Sequence, residues 1–160
     1  MTRNHVPSTP AVRALRDHEI PVVFHEYRYE ERGGTSLASR ALGVDEHMVI
    51  KTLVMETDTK EPFLILMHGD RDVSLKALAR HLGVKSVSPC SPQAARKHTG
   101  YLVGGTSPFG TLKKLPLYVE SSLVELPRIY INAGHRGLLA EISPVLLAQA
   151  LEPVFVHVAV

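Results

Sequence analysis

The chain has 160 residues, 44% of them hydrophobic, which is enough apolar material for one globular domain with one core. Its single cysteine, Cys90, excludes an internal disulfide framework and a thiolate zinc site, and no apolar run reaches the ~20 residues that cross a bilayer. The formal net charge of +2 falls short of the basic excess of proteins that grip long duplexes through many phosphates, while a short nucleic-acid contact stays open if basic residues cluster.

Residues 1–14 mix charge, proline and small residues without the apolar centre of a secretory signal, and with the lone cysteine they fit a reducing cytoplasm. Thr9-Pro10 reads as an N-cap followed by proline at the first helical position, predicting a helix over residues 11–18 with Val12 and Leu15 inward. Pro21 stops it, and residues 22–27 read as a strand. Glu30 to Gly34 is a loop, after which Ser36 is expected to cap a short helix that Gly43 ends. Residues 48–55 form a β-rich run that a polar turn at 57–61 folds into a second strand, 62–67. Ser74 and Gly83 bracket a helix over 75–82, and Ser91-Pro92 opens another through about Lys97. Strands are expected at 117–119, 128–131 and 138–142, then a helix from Ser143-Pro144 to Leu151 and a strand at 154–158. Strands arrive both in hairpins and after helices, so the pattern predicts a mixed sheet with helices around it, in one domain over residues 1–160.

Three places could carry chemistry. Lys51 sits between apolar neighbours on its strand, where an ammonium either snorkels from an edge to water or stands at the base of a pocket facing an anionic or carbonyl-bearing ligand. The loop from Gly104 to Gly110 lets backbone N–H groups approach a ligand, or is simply a tight turn stiffened by Pro108. Its spacing fits neither a Walker A loop nor a dinucleotide fingerprint. Asn132, followed by Gly134, could offer an amide from the turn after a strand, and a solvated hairpin turn is the alternative. The nine histidines, His25 and His98 among them, lack metal-ligand spacing, and no Gly-x-Ser-x-Gly elbow is present. Arg96, Lys97, Lys113 and Lys114 flank the glycine loop as a modest basic patch that is either a solvated face or a phosphate contact.

Val49-Ile50-Lys51-Thr52-Leu53, the run from Thr99 to Gly110, and Gly134-His135-Arg136-Gly137-Leu138 together resemble the YbaK/EbsC family, relatives of the editing domain inserted in bacterial prolyl-tRNA synthetases. The resemblance spans Thr9 to Phe155. It implies a compact α+β domain with a mixed, barrel-like sheet, hydrolysis of the ester of mischarged tRNA without metal or cofactor, and Cys-tRNA(Pro) as substrate. Ala-tRNA(Pro), another small amino acid, or ligand binding without catalysis are the alternatives. The implied partners are the tRNA acceptor end and prolyl-tRNA synthetase.

Carried onto this sequence, the resemblance makes Lys51 the pocket lysine and assigns substrate contacts to Tyr27, Thr52, Gly104, Gly105, Ser107, Pro108, Gly110, Asn132 and Gly134. Lys51 and the Gly104-Gly105 backbone are then expected to polarise the ester for attack by water or by the substrate's own thiol. Cysteine-specific members carry a serine where Asn132 stands, an aromatic near Gly33-Gly34, and an aspartate where Leu139 stands.

Overall fold

The computed structural model describes residues 6–160; residues 1–5, the start of the segment read above for a signal, lie outside the described residues. Helix α1 (Pro10–Asp17) starts where Thr9-Pro10 predicts: the Val12 N–H donates to Thr9 Oγ1 at 3.0 Å, and Ala11, Val12 and Leu15 are buried. Strand β1 is shorter than expected, Val23–Glu26. Helix α2 (Gly34–Leu42) starts earlier than expected, with Gly33 rather than a serine at its cap and no side-chain capping bond. Gly33 packs against Leu37, whose side chain a Cβ there would meet.

A 3₁₀ turn (Glu46–Met48) leads into the hairpin of β2 (Ile50–Thr57) and β3 (Pro62–His68), in register from Ile50 opposite His68 to Glu56 opposite Pro62. Ser74 and Gly83 bound α3 (Leu75–Leu82) as read. Strand β4 (Val87–Pro89) has three residues and no alternating pattern, and the sequence did not predict it. Helix α4 (Pro92–Thr99), capped by Ser91, precedes the glycine loop. Then follow β5 (Leu117–Glu120), a 3₁₀ turn (Ser121–Glu125), β6 (Ile129–Asn132), β7 (Leu138–Ile142), α5 (Pro144–Leu151) and β8 (Val154–Val156).

The strands form a five-stranded sheet, ordered β4-β2-β3-β5-β8, and a three-stranded one, β1-β7-β6. The β3–β5 and β5–β8 pairs are parallel and the rest antiparallel, so the mixed α+β character holds. The barrel-like closure does not. An isolated parallel bridge, Val49 to Tyr130, links two open sheets. β4 covers β2 only from Met55 onward, and outer strands of three or four residues are too short to close a ring.

Side-chain alternation divides the core. Ile50, Leu66 and Val119 face α1, α5 and the smaller sheet, while Met55, Ile65 and Met67 face Leu78 and Ala79 of α3. Each such buried aliphatic side chain stabilises the fold by about 1.5–3 kcal/mol. The middle of β2, residues 51–54, is only half-buried, although both of its ends are packed. That interruption locates the site.

Candidate active site

Backbone groups of alternate strand residues point to opposite edges. The Gly69 N–H donates to Val49 O at 2.8 Å on the β3 side of β2, and the Cys90 N–H donates to Val54 O at 2.9 Å on the other. Thr52 shares parity with Val54, so its N–H and C=O face away from β3. Among the described residues no strand pairs with this edge between the Val49–Tyr130 bridge and Met55. The two sheets splay apart there and leave a cavity of about 440 Å³, within the range of small-ligand sites.

Lys51, Thr52, Tyr27, Gly104 and Asn132 all line this cavity, so the structure brings five of the predicted residues together. Lys51 takes the pocket position: its side chain is 25% exposed, and its Nζ lies 3.5 Å from Asp72 Oδ1, a carboxylate 90% exposed. A pair that long and wet holds the ammonium weakly and leaves it available to a ligand. Thr52 Oγ1 is buried and has no hydrogen-bond partner among the described residues. Burial, and after it the neighbouring Tyr29, push the Tyr27 phenol above its ordinary value, so it is a neutral donor at pH 7.

The far wall is built by the glycine loop. Gly104 has φ +86°, and a Cβ there would lie 2.8 Å from Tyr29 Oη. The Tyr29 ring is covered in turn by the Arg136 guanidinium, 5.1 Å from its centroid, whose Nε donates to Val103 O at 2.8 Å. Asn132 ties this wall to the next turn, because its Nδ2 donates to Gly104 O while its Oδ1 accepts from the N–H groups of Gly134 and His135. The Gly105 N–H donates to Leu102 O at 2.9 Å, whereas among the described residues the Gly104 N–H has no such partner.

The other predicted residues stand apart from this cavity. Gly105 and Gly134 line a second one behind the loop. Ser107, Pro108 and Gly110 line neither. Ser107 is fully buried and its Oγ accepts from the Phe109 N–H, while Gly110 (φ +68°) abuts the Pro10 carbonyl, where a Cβ would approach to 2.5 Å. His25 pairs with Glu141 at 2.7 Å, and His98 Nδ1 accepts from Lys113 Nζ at 3.1 Å.

Sequence reasoning missed Tyr29, Arg32, Thr35 and Ala38, which close the cavity from the β1–α2 side. A tyrosine and an arginine in a loop that ends on two glycines were the available signal. Gly34 and Leu139, the positions where the resemblance implies a departure from cysteine-specific members, both line the cavity. Leu139 packs with Ala38, Val49 and Tyr130 as an apolar floor.

A cleft that sets a lysine, an unpaired strand edge and a glycine wall around an apolar floor suits a small acyl group joined to a polar carrier. Residues 31–150 match the aminoacyl-tRNA editing domain, and the chain belongs to that family. The proposed Cys-tRNA(Pro)/Cys-tRNA(Cys) deacylase EbsC of Enterococcus faecalis is 29% identical over 137 residues, covering 85% of this chain and 84% of that protein. The proline–tRNA ligase of Moorella thermoacetica is 33% identical over 104 residues, 64% of this chain but 18% of the ligase. The crystal structure of a proposed trans-editing enzyme for prolyl-tRNA synthetase superposes with a TM-score of 0.82 at 23% identity, covering 96% of this chain and 98% of that one, and shows the same fold. Membership bears out the expected class, an aminoacyl-tRNA hydrolase. Among the described residues no helix is long and apolar enough to cross a membrane.

Proposed function

We propose that residues 1–160 act as one trans-editing unit in the cytoplasm, hydrolysing the ester between a small amino acid and the terminal adenosine of tRNA(Pro), with cysteine as the first candidate. The observation that carries this reading is the open edge of β2 at Thr52, set beside the Lys51 ammonium and facing Gly104 across a cavity of about 440 Å³. Lys51 and the Gly104 N–H polarise the ester carbonyl and stabilise the oxyanion. Thr52, through its hydroxyl and its backbone edge, holds the aminoacyl group, and Tyr27 adds a neutral donor. The EbsC relative supports cysteine.

Among the described residues no hydroxyl lining the cavity is hydrogen-bonded to a histidine, which favours water or the substrate thiol as nucleophile. In the thiol route sulfur attacks the carbonyl carbon, the C–O bond to the ribose breaks, and the thiol proton passes to the departing 3′ oxygen, giving a cyclic thioester. Holding sulfur near the carbonyl then supplies several kcal/mol, roughly 7–11 at the extreme. Discrimination by size alone is worth only ~1–3 kcal/mol per methylene. Association with prolyl-tRNA synthetase would supply tRNA selectivity that the small overall charge does not.

One observation favours a second substrate: the floor around Leu139 is apolar, which suits alanine. Deacylation of tRNA(Pro) charged with Cys, Ala, Ser or Pro, with wild type and Lys51→Ala side by side, decides among these. Lysine-dependent release of one small amino acid supports the reading and names the substrate. Binding without release assigns the chain to ligand binding instead.

A further inference from the structure

Behind the glycine loop lies a second cavity of about 290 Å³, lined by Arg96, Leu102, Gly105, His135 and Arg136 among others. Gly104 lines the first cavity and Gly105 the second, so one peptide separates them. The charge around the second is one-sided. From Ser91 through Val119 the sequence contains no Asp or Glu, but it contains Arg96, Lys97, Lys113 and Lys114. That segment's +4 exceeds the +2 of the whole chain, so the basic excess is concentrated in this stretch of sequence, which supplies Arg96 to the cavity. Among the described residues none of these four cations, nor Arg136, forms an ion pair.

The dipole of α4 accounts for cations in its own last turn, Arg96 and Lys97. It does not account for Arg136 and His135, which reach the same cavity from the β6–β7 turn. Arg136 is held with its Nε on Val103 O and its Cζ over the Tyr29 ring, and among the described residues its two terminal nitrogens make no hydrogen bond. Arg96 is exposed and makes no side-chain hydrogen bond among the described residues. Two arginines from different elements line this one small cavity, one held through its Nε and one free, and guanidinium groups are the side chains best suited to grip a phosphate.

We infer that this cavity binds the phosphodiester linking the aminoacylated terminal nucleoside to the rest of the RNA strand, with Arg96 and Arg136 as its ligands and His135 beside them. The inference rests on the editing reading for its partner and adds to it a second contact point, one peptide away from the ester. It explains how a chain of small net charge engages the acceptor end: it reads one local phosphate rather than a long stretch of backbone.

The test uses a short fluorescent RNA ending in CCA, without an amino acid, alongside hydrolysis of aminoacyl-tRNA and of 3′-aminoacyl-adenosine, which lacks the phosphate. Arg96→Ala is expected to weaken RNA binding about tenfold and to flatten its dependence on log salt by about 0.7. It is expected to lower kcat/KM on aminoacyl-tRNA by a similar factor and to leave aminoacyl-adenosine hydrolysis unchanged. Lys76→Ala on α3, a control for net charge, should change none of these. Unchanged RNA binding in Arg96→Ala, or equal losses on both ester substrates, overturns the inference. Binding of inorganic phosphate that depends on Arg96 while RNA binding does not would assign the cavity to free phosphate and overturn it too. Wild-type failure to hydrolyse either ester overturns the editing reading instead, while the RNA-binding comparison still decides this one.

Discussion

The side-chain amide of Asn132 donates to the carbonyl of Gly104 at 2.9 Å, joining the turn after β6 to the loop that walls the cavity. Both ends of the amide are used, since the oxygen accepts from Gly134 at 2.8 Å and from His135 at 3.2 Å. Asn132 therefore lines the cavity and, at the same time, sets the position of its wall. Asn132→Ala removes all three bonds and is expected to cost about 1–3 kcal/mol of stability. It should also lower kcat of deacylation more than it raises KM, because a wall that drifts misplaces the oxyanion donor. Urea unfolding with steady-state kinetics checks both. An unchanged kcat in a destabilised protein would mean that the clamp only supports the fold.

Gly110 and Gly43 share a left-handed backbone, with φ +68° and +69°, but differ in their surroundings. A Cβ at Gly110 would meet the Pro10 carbonyl carbon and oxygen at 2.5 Å, whereas one at Gly43 would meet nothing within 4 Å. Gly43→Ala should therefore cost about 1 kcal/mol, the strain of the conformation alone. Gly110→Ala adds a clash with backbone that cannot rotate away and should cost about 2–4 kcal/mol. Denaturant midpoints of the two variants, at unchanged slope, test this ordering.

His68 is buried, with Nδ1 on the His47 carbonyl at 2.8 Å, Nε2 on Ser122 Oγ at 2.6 Å, and its ring stacked on His47 at 3.7 Å. Burial pushes its pKa below the ordinary value of 6.5; the His47 ring adds to the shift, and the His47 carbonyl, Asp70 and Glu120 oppose it. A histidine whose folded pKa is lowered is protonated first in the unfolded state, so stability is full above the unfolded pKa and is lost as pH falls below about 6.5. Melting temperature should thus fall between pH 7 and pH 5, and His68→Asn should flatten that slope while lowering stability at pH 7. An equal slope in the variant would place the titration elsewhere.

Most helices were legible in the sequence because their signals are local: Thr9-Pro10, Ser74 and Ser91-Pro92 each make the capping bond their chemistry predicts. The β2–β3 hairpin was legible from its β-rich runs and polar turn. Strand β4 was not, because three residues carry no period and take their place from pairing with Met55 to Thr57. Nor was the start of α2, where Gly33 stands at the cap position and no side chain makes a capping bond. At the site, the lysine strand and the glycine loop were readable as chemistry. What could not be read was the division of labour within the loop, where Ser107 and Gly110 serve the core, Gly104 serves one cavity and Gly105 another. Those roles depend on side-chain direction and on contacts with Pro10, Tyr29 and Asn132, distant in sequence.

Thr52 separates the needs of the fold from those of the reaction. Its hydroxyl is buried without a partner among the described residues, and such a group typically costs about 1–3 kcal/mol. Thr52→Val keeps the shape and the β-branched backbone preference while deleting the oxygen, so it should leave stability unchanged or raise it by about 1 kcal/mol. If the hydroxyl holds the aminoacyl group, kcat/KM on mischarged tRNA should fall about tenfold in the same variant, as expected for one lost hydrogen bond to a bound polar group. Thr52→Ser, which restores the oxygen, should recover most of that activity at lower stability. A valine variant that is both stabilised and fully active would remove the hydroxyl from the mechanism and leave the backbone edge of β2 as the only contribution of this residue.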